Sequence, residues 1–219
     1  MSVLPRKYDI IIFDFDGVLG MTMEDNYNAW KSAFETRNIV LERREYFLLE
    51  GANTREVARH FFAKAGIQTS PDAIEAIVRH KEAHYASHAS FAFYDGVDSL
   101  IPKLRRSFTL GLVTGAGRQR LERTTGAAFL SNFAVIVTGD KVTRCKPEPD
   151  PYLQAAREAN VAAQRCIVIE NAPLGIEAAH RAGMFCIAVE STLPAEHLAG
   201  ADMIVRTIGD IGPLLCKEG

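Results

Sequence analysis

Short apolar runs punctuate the chain at Ile10 to Phe13, Thr109 to Val113, Val135 to Thr138, Cys166 to Ile169, Phe185 to Val189 and Met203 to Val205. Runs of this length without polar alternation predict strands buried on both faces, and the helical segments between them predict a parallel sheet covered by helices. The pattern therefore predicts an α/β fold built on a doubly wound parallel sheet. In the common doubly wound order the first and fourth strands are neighbours at the switch point, which sets Asp14 and Glu170 face to face. Helix starts are also legible. Asp150-Pro151 reads as an N-cap and first helical residue ahead of Tyr152, Leu153 and Ala156, and Ser70-Pro71-Asp72 has the same form ahead of Ile74, Ile77 and Val78.

One interval is out of proportion. Roughly ninety residues separate the first two strands, far beyond an ordinary connection. Tyr27, Trp30 and Phe34 recur there at helical spacing, as do Val57, Phe61, Phe62 and Ala65 before Gly66 closes that helix. The chain is therefore read as a Rossmann-like catalytic core of residues 1–19 and 93–219, with an inserted α-helical cap over residues 20–92. The insertion leaves just after Leu19 and returns near Tyr94-Asp95-Gly96, so it is expected to act as a lid over whatever lies at the first strand's end.

That strand ends in chemistry. Ile10-Ile11-Ile12-Phe13 stops at Asp14-Phe15-Asp16-Gly17, and side chains two apart on extended chain point the same way. Two anions at roughly 4 Å repel by about 4 kcal/mol at an effective dielectric near 20, so a cation is expected between them, and Mg²⁺ suits oxygen donors. The competing reading is a plain turn. Three more polar signals follow strands. Thr114-Gly115-Ala116-Gly117 offers a hydroxyl and backbone N–H groups as an anion cradle, or else a tight strand-to-helix turn. Lys146, held extended by Pro147, is placed to send its ammonium into the crevice, or else is a solvated loop lysine. Glu170-Asn171 ends the fourth strand, where an acid is a natural metal ligand.

Composition narrows the class. With 47% hydrophobic residues in a 219-residue chain, the core is ample, and a formal charge of −2 without a basic run gives no attraction to nucleic acid or anionic lipid. No stretch approaches the roughly 20 apolar residues of a membrane span, and the opening Met-Ser-Val-Leu-Pro-Arg-Lys shows no apolar leader, so a cytoplasmic enzyme is expected. Cys145, Cys166, Cys186 and Cys216 have no paired spacing and read as ordinary reduced thiols. No nucleic-acid or membrane partner is expected, and the expected state is a monomer or weak dimer.

Together these motifs resemble the haloacid dehalogenase superfamily, and more narrowly its phosphatase and β-phosphoglucomutase-like branch with a small helical cap. The matching segments are Asp14-Phe15-Asp16-Gly17-Val18-Leu19, Val113-Thr114-Gly115, Lys146-Pro147-Glu148-Pro149-Asp150 and Glu170-Asn171-Ala172-Pro173-Leu174-Gly175. The resemblance implies that Asp14 attacks phosphorus and becomes an aspartyl phosphate, while Asp16 protonates the leaving alcohol and later activates water. It implies Mg²⁺ on Asp14, the backbone carbonyl of Asp16 and Glu170, with Thr114 and Lys146 on the phosphoryl oxygens. Asp14 must then stay ionised while Asp16 alternately carries a proton.

The chain departs from the pattern in places. Asn171 stands where an acid is common; its amide oxygen can still coordinate, but weaker Mg²⁺ binding is expected. Met21 replaces an aspartate often found after the first motif, and Cys145 a glycine before the lysine. By the resemblance Arg55 and Lys81 are cationic substrate contacts from the cap, or else exposed helix charges. Asn26 stands near a histidine of the mutases, which favours hydrolysis over isomerisation. His80, His84 and His88 share a helix face at metal-binding spacing, although a solvated face is the preferred reading. The expected activity is Mg²⁺-dependent hydrolysis of a small phosphomonoester metabolite, phosphosugar or phosphoglycolate-like. A sugar phosphomutase and a weakly catalytic phosphometabolite sensor are the alternatives.

Overall fold

The computed structural model describes residues 7–216. Residues 1–6, on which the expectation about an apolar leader falls, and residues 217–219 lie outside the described residues. The strands are β1 (Ile10–Asp14), β2 (Thr109–Val113), β3 (Val135–Val137), β4 (Cys166–Glu170), β5 (Phe185–Val189) and β6 (Met203–Val205). Helices α1 (Met23–Glu35), α2 (Arg43–Leu48), α3 (Thr54–Lys64) and α4 (Pro71–His88) follow β1, and α5 (Val97–Arg105) leads into β2. Next come α6 (Arg118–Thr125), α7 (Ala127–Leu130), α8 (Asp150–Glu158), α9 (Pro173–Arg181) and α10 (Ile211–Leu215).

The sheet runs β3-β2-β1-β4-β5-β6, with every neighbouring pair parallel. The first and fourth strands are adjacent, as the doubly wound reading requires. Alternation along β1 divides the core. Ile10 and Ile12 pack with Tyr152 and Ala155 of α8 and Ile176 of α9, whereas Ile11 and Phe13 pack with Leu100 and Leu104 of α5 and Leu214 of α10. Both faces are therefore covered, which is why the strands read as unbroken apolar runs. In register, Asp14 pairs with Val113 and Phe13 with Ile169, so Asp14, Thr114 and Glu170 emerge at one edge of the sheet.

Helices α1 to α4 close around an aromatic cluster. Phe34 stacks on Trp30 at 5.4 Å and meets Phe61 at 5.4 Å and Phe62 at 5.8 Å. The chain leaves and re-enters side by side: Gly20 bridges Phe93, the Met21 N–H donates to Ala92 at 2.9 Å, and the Tyr94 N–H donates to Leu19 at 3.0 Å. Ser70 caps α4 as its sequence implies, accepting from the Ala73 N–H at 3.3 Å. The cap reading of Asp150 is corrected. Pro149 holds the N-cap position of α8, and the Asp150 carboxylate pairs with Arg144 at 3.0 Å, an exposed cation competing for the same oxygens. Among the described residues no helix is long and apolar enough to cross a membrane.

Phe34 is fully buried between α1 and α3. Replacing it with alanine opens a cavity, and Phe34→Ala is expected to lower unfolding free energy by about 3–5 kcal/mol in urea titrations.

Candidate active site

The β-strand ends assemble the site. Asp14 closes β1, Glu170 closes β4, Thr114 follows β2, and Lys146 comes from the loop between β3 and α8; each is at most 4% exposed. The Lys146 ammonium donates to Asp14 Oδ1 and, at 2.6 Å, to Glu170 Oε1. Glu170 is further fixed by the Tyr152 hydroxyl at 2.6 Å and by the Asn171 N–H at 2.8 Å, near the start of α9. Its lone pairs are thus satisfied from three sides, as a buried carboxylate requires.

Asp16 sits in a second arrangement. It accepts from the Thr22 hydroxyl at 2.6 Å, the Thr114 hydroxyl at 3.1 Å, Arg120 at 3.0 Å and the Asn26 amide at 3.4 Å. Thr114 in turn accepts the Ala116 N–H at 3.0 Å, which ties the turn after β2 to the same carboxylate. Asn26 also accepts from Arg120 at 3.3 Å. A crevice of about 390 Å³ opens here, lined among others by Asp14, Asp16, Asn26, Lys81, Gly115 and Arg120.

The loop between α2 and α3 reaches into this crevice. Gly51 has φ +87°, and a Cβ there would lie 2.7 Å from Lys146 Cδ, so only glycine lets the loop cross the lysine stem. The preceding Glu50 is buried and accepts from Asn171 Nδ2 at 2.8 Å. Its other oxygen, Oε1, has no hydrogen-bond partner, nor has Asn171 Oδ1. Gly17, at φ +82°, leaves room for both: a Cβ there would lie 2.2 Å from Asn171 Nδ2 and 3.1 Å from Glu50 Oε1.

A family model for haloacid dehalogenase-like hydrolases matches residues 11–189. The chain belongs to that family. It is 32% identical over 210 residues to validoxylamine A 7′-phosphate phosphatase of Streptomyces hygroscopicus subsp. limoneus, covering 93% of this chain and 96% of that one. It is 29% identical over 215 residues to β-phosphoglucomutase of Bacillus subtilis strain 168, covering 95% and 93%. The crystal structure of CbbY from Rhodobacter sphaeroides in complex with phosphate matches with a TM-score of 0.77 at 29% identity, covering 94% and 96%. The protein is an enzyme of the phosphatase and phosphomutase branch of this family.

Within this hydrolase the electrostatics are uneven. Burial drives the Asp14 carboxyl well above its ordinary range; Lys146 opposes this, while Glu170 and Asp16 add to it. Burial would lower Lys146, but Asp14 and Glu170 outweigh it and push it upward. Burial would likewise raise Asp16, yet Arg120, the Thr22 hydroxyl, Lys81 and the Thr114 hydroxyl bring it below the usual carboxylate value. These directions run opposite to the expectation that Asp14 stays ionised and Asp16 carries the proton. Burial is the first cause at Asp14, and the largest lowering influence at Asp16 is Arg120, which binds Asp16 and not Asp14. Glu50 is pushed well above its ordinary range, first by burial and then by the charges of Asp14, Glu170 and Asp16.

The expected substrate contacts separate. Lys81 is buried against the crevice, its ammonium 5.1 Å from the Tyr85 ring centroid and 2.9 Å from Glu82. Arg55 turns away: it pairs with Glu75 on the outer surface, and the expectation that it reaches substrate is corrected accordingly. The neighbouring carboxylate, one helix over, is the nearer and less costly partner for an exposed guanidinium. Thr114 donates to Asp16, and Lys146 donates to Asp14 and Glu170, so both are bonded to the acids at the strand ends. His84 and His88 stack at 4.2 Å and His80 meets Ser32, with His80 and His88 exposed to solvent. Among the described residues no three His, Cys, Asp or Glu side chains form a ready-made metal cage, because Lys146 bridges the two acids at the strand ends.

Arg120, Glu50 and the Tyr152 hydroxyl are the residues that sequence reasoning missed. Arg120 is one of three arginines on α6, and only the fold distinguishes it from Arg118 and Arg123. Glu50 did carry a signal, an acid beside glycine within the otherwise apolar Leu48-Leu49…Ala52 turn. Tyr152 reads as part of an apolar stripe, and its ring is indeed buried.

Burial and then the Arg120 charge lower Lys81 to about 8. The crevice therefore carries this positive charge below about pH 8 and loses it above. Titrating the Lys81 side-chain resonance by NMR, assigned through Lys81→Arg, should give a midpoint near 8, well below the ordinary exposed lysine.

Proposed function

We propose that the enzyme hydrolyses a small soluble phosphate monoester through an aspartyl phosphate on Asp14, with Mg²⁺ as cofactor. The observation that carries this reading is that Asp14 and Asp16 line one crevice while Thr114, Lys146 and Glu170, from three further loops and strand ends, are bonded to them directly or through Lys146. No simpler structural purpose accounts for gathering three acids and a hydroxyl where a buried apolar packing would be more stable.

Two oxygens without partners, on Glu50 and Asn171, lie beside these acids, so the donor set is rich in hard oxygen ligands and fits a dication such as Mg²⁺. Asp14, the backbone carbonyl of Asp16, Glu170 and Asn171 would hold it. When bound, the ion supplies positive charge for the phosphoryl oxygens and holds Asp14 in its ionised form. The remaining chemistry belongs to the chain. An Asp14 carboxylate oxygen attacks phosphorus as the ester P–O bond breaks, and Asp16 gives its proton to the departing alkoxide. Water then attacks the phosphorus; Asp16 takes a proton back, and Asp14 and inorganic phosphate separate. Lys146 and the Thr114 hydroxyl face the phosphoryl oxygens and offset their charge. For Asp16 to carry a proton, Arg120 must release it. An entering phosphate is the stronger bidentate partner for that guanidinium, so substrate arrival supplies the release.

Hydrolysis is favoured over isomerisation by Asn26. Its amide is engaged with Asp16, Thr22 and Arg120, and an amide cannot shuttle a proton to a second sugar hydroxyl. Lys81, Arg120 and Asn26 together suit a substrate whose remainder is anionic or rich in hydroxyls. We place the lid over residues 20–92, hinged where Gly20 pairs with Phe93.

The test is a panel of phosphorylated sugars and sugar alcohols, scored for free phosphate against isomerised product. Phosphate release that needs Mg²⁺ and falls about a thousandfold or more in Asp14→Asn is expected. Undiminished release by that variant, or isomer as the main product, contradicts the reading.

A further inference from the structure

Where the resembled pattern has an acid this chain has Asn171, and the carboxylate of Glu50 is hydrogen-bonded to it. We propose that Glu50, delivered by the loop between α2 and α3, is a ligand of the divalent cation, so that cation binding fastens the helical segment onto the sheet. The inference rests on the Mg²⁺ reading above and adds to it a ligand from outside the sheet.

Three observations carry it. First, Glu50 is 7% exposed, with Oε2 held by Asn171 and Oε1 facing Gly17 without a partner. A buried carboxylate oxygen left unpaired beside two other acids is costly, and a cation removes that cost. Second, Asn171 spends both amide protons, one on Glu50 Oε2 at 2.8 Å and one on Thr192 Oγ1 at 2.9 Å, so its Oδ1 faces away from them, free to accept a cation. Asparagine thus contributes an oxygen while orienting the carboxylate that brings the charge. Third, the charge would close with a dication bound: Asp14, Glu50 and Glu170, ionised against it, bring three negative charges against the one of Lys146, and the remainder matches a single dication.

The position of Glu50 is built, not incidental. Gly51 crosses directly over the Lys146 stem, a contact open only to glycine, and this crossing aims the residue before it at Gly17 and Asn171. Moving α2 and α3 off the sheet would withdraw Glu50 from the cluster. Cation affinity and closure are then one equilibrium, and each strengthens the other by the same factor.

Isothermal titration of substrate-free protein with Mn²⁺ is the direct test, comparing wild type, Glu50→Gln, Asn171→Asp and the double variant. Glu50→Gln is expected to weaken Mn²⁺ binding at least about tenfold, and Asn171→Asp in that background to restore most of it. Hydrogen exchange on wild type gives a second reading that depends on no variant: Mn²⁺ should slow amide exchange over residues 49–53. Wild-type affinity in folded Glu50→Gln, or exchange over 49–53 unchanged by Mn²⁺, overturns the proposal while leaving the Mg²⁺ reading intact. Absence of Mn²⁺ binding by wild type overturns both.

Discussion

One buried ammonium shared by two buried carboxylates governs this molecule. Asp14 and Glu170 end adjacent parallel strands, and Lys146 lies between them with almost no access to water. Taking three charges out of water costs several kcal/mol each, so the arrangement persists only because each partner is satisfied elsewhere. Tyr152 and the first N–H groups before α9 complete Glu170, while Gly51 packs on the lysine stem and shuts out solvent. Replacing the set with apolar side chains would be easier to fold. The proposed chemistry gives a reason for the set, since a carboxylate beside an ammonium at the open end of a strand would be a nucleophile facing a phosphate clamp.

The second acid shows how the same crevice keeps two carboxylates in different states. Asp14 is driven up by burial and by its acidic neighbours, while Asp16 is brought down by Arg120 and hydroxyl donors. The guanidinium reaches Asp16 from α6 and meets Tyr85 and Asn26 from the helical segment, so one cation joins sheet and helices across the crevice. On the proposed reading, a phosphate ester that drew Arg120 from Asp16 would free the acid as it bound, and the helical segment would take part in both.

The fold was legible because its physics is local. Unbroken apolar runs locate all six strands to within a residue, and the rule that doubly wound sheets reverse at a switch point sets Glu170 beside Asp14. The positions of Asp14, Thr114, Lys146 and Glu170 were legible for the same reason, each lying at or after the end of a strand. What was not legible depends on long-range competition. Arg55 looked like a substrate contact, but an exposed glutamate on α4 captured it. Asp150 looked like a cap, but Arg144 took its carboxylate. Arg120 and Glu50 reach their partners across 104 and 121 residues of sequence, through a geometry that no spacing rule contains.

The central claim is that Lys146 is what allows Asp14 and Glu170 to lie buried side by side. Urea unfolding of Lys146→Met between pH 5 and 8, beside wild type and Lys146→Met/Asp14→Asn, tests it most directly. Without the ammonium, Asp14 binds a proton in the folded state that it lacks when unfolded, so the single variant should gain stability as pH falls. At neutral pH it should be about 3–5 kcal/mol less stable than wild type, and the double variant should recover much of that loss. A Lys146→Met protein as stable as wild type across this range would contradict the account.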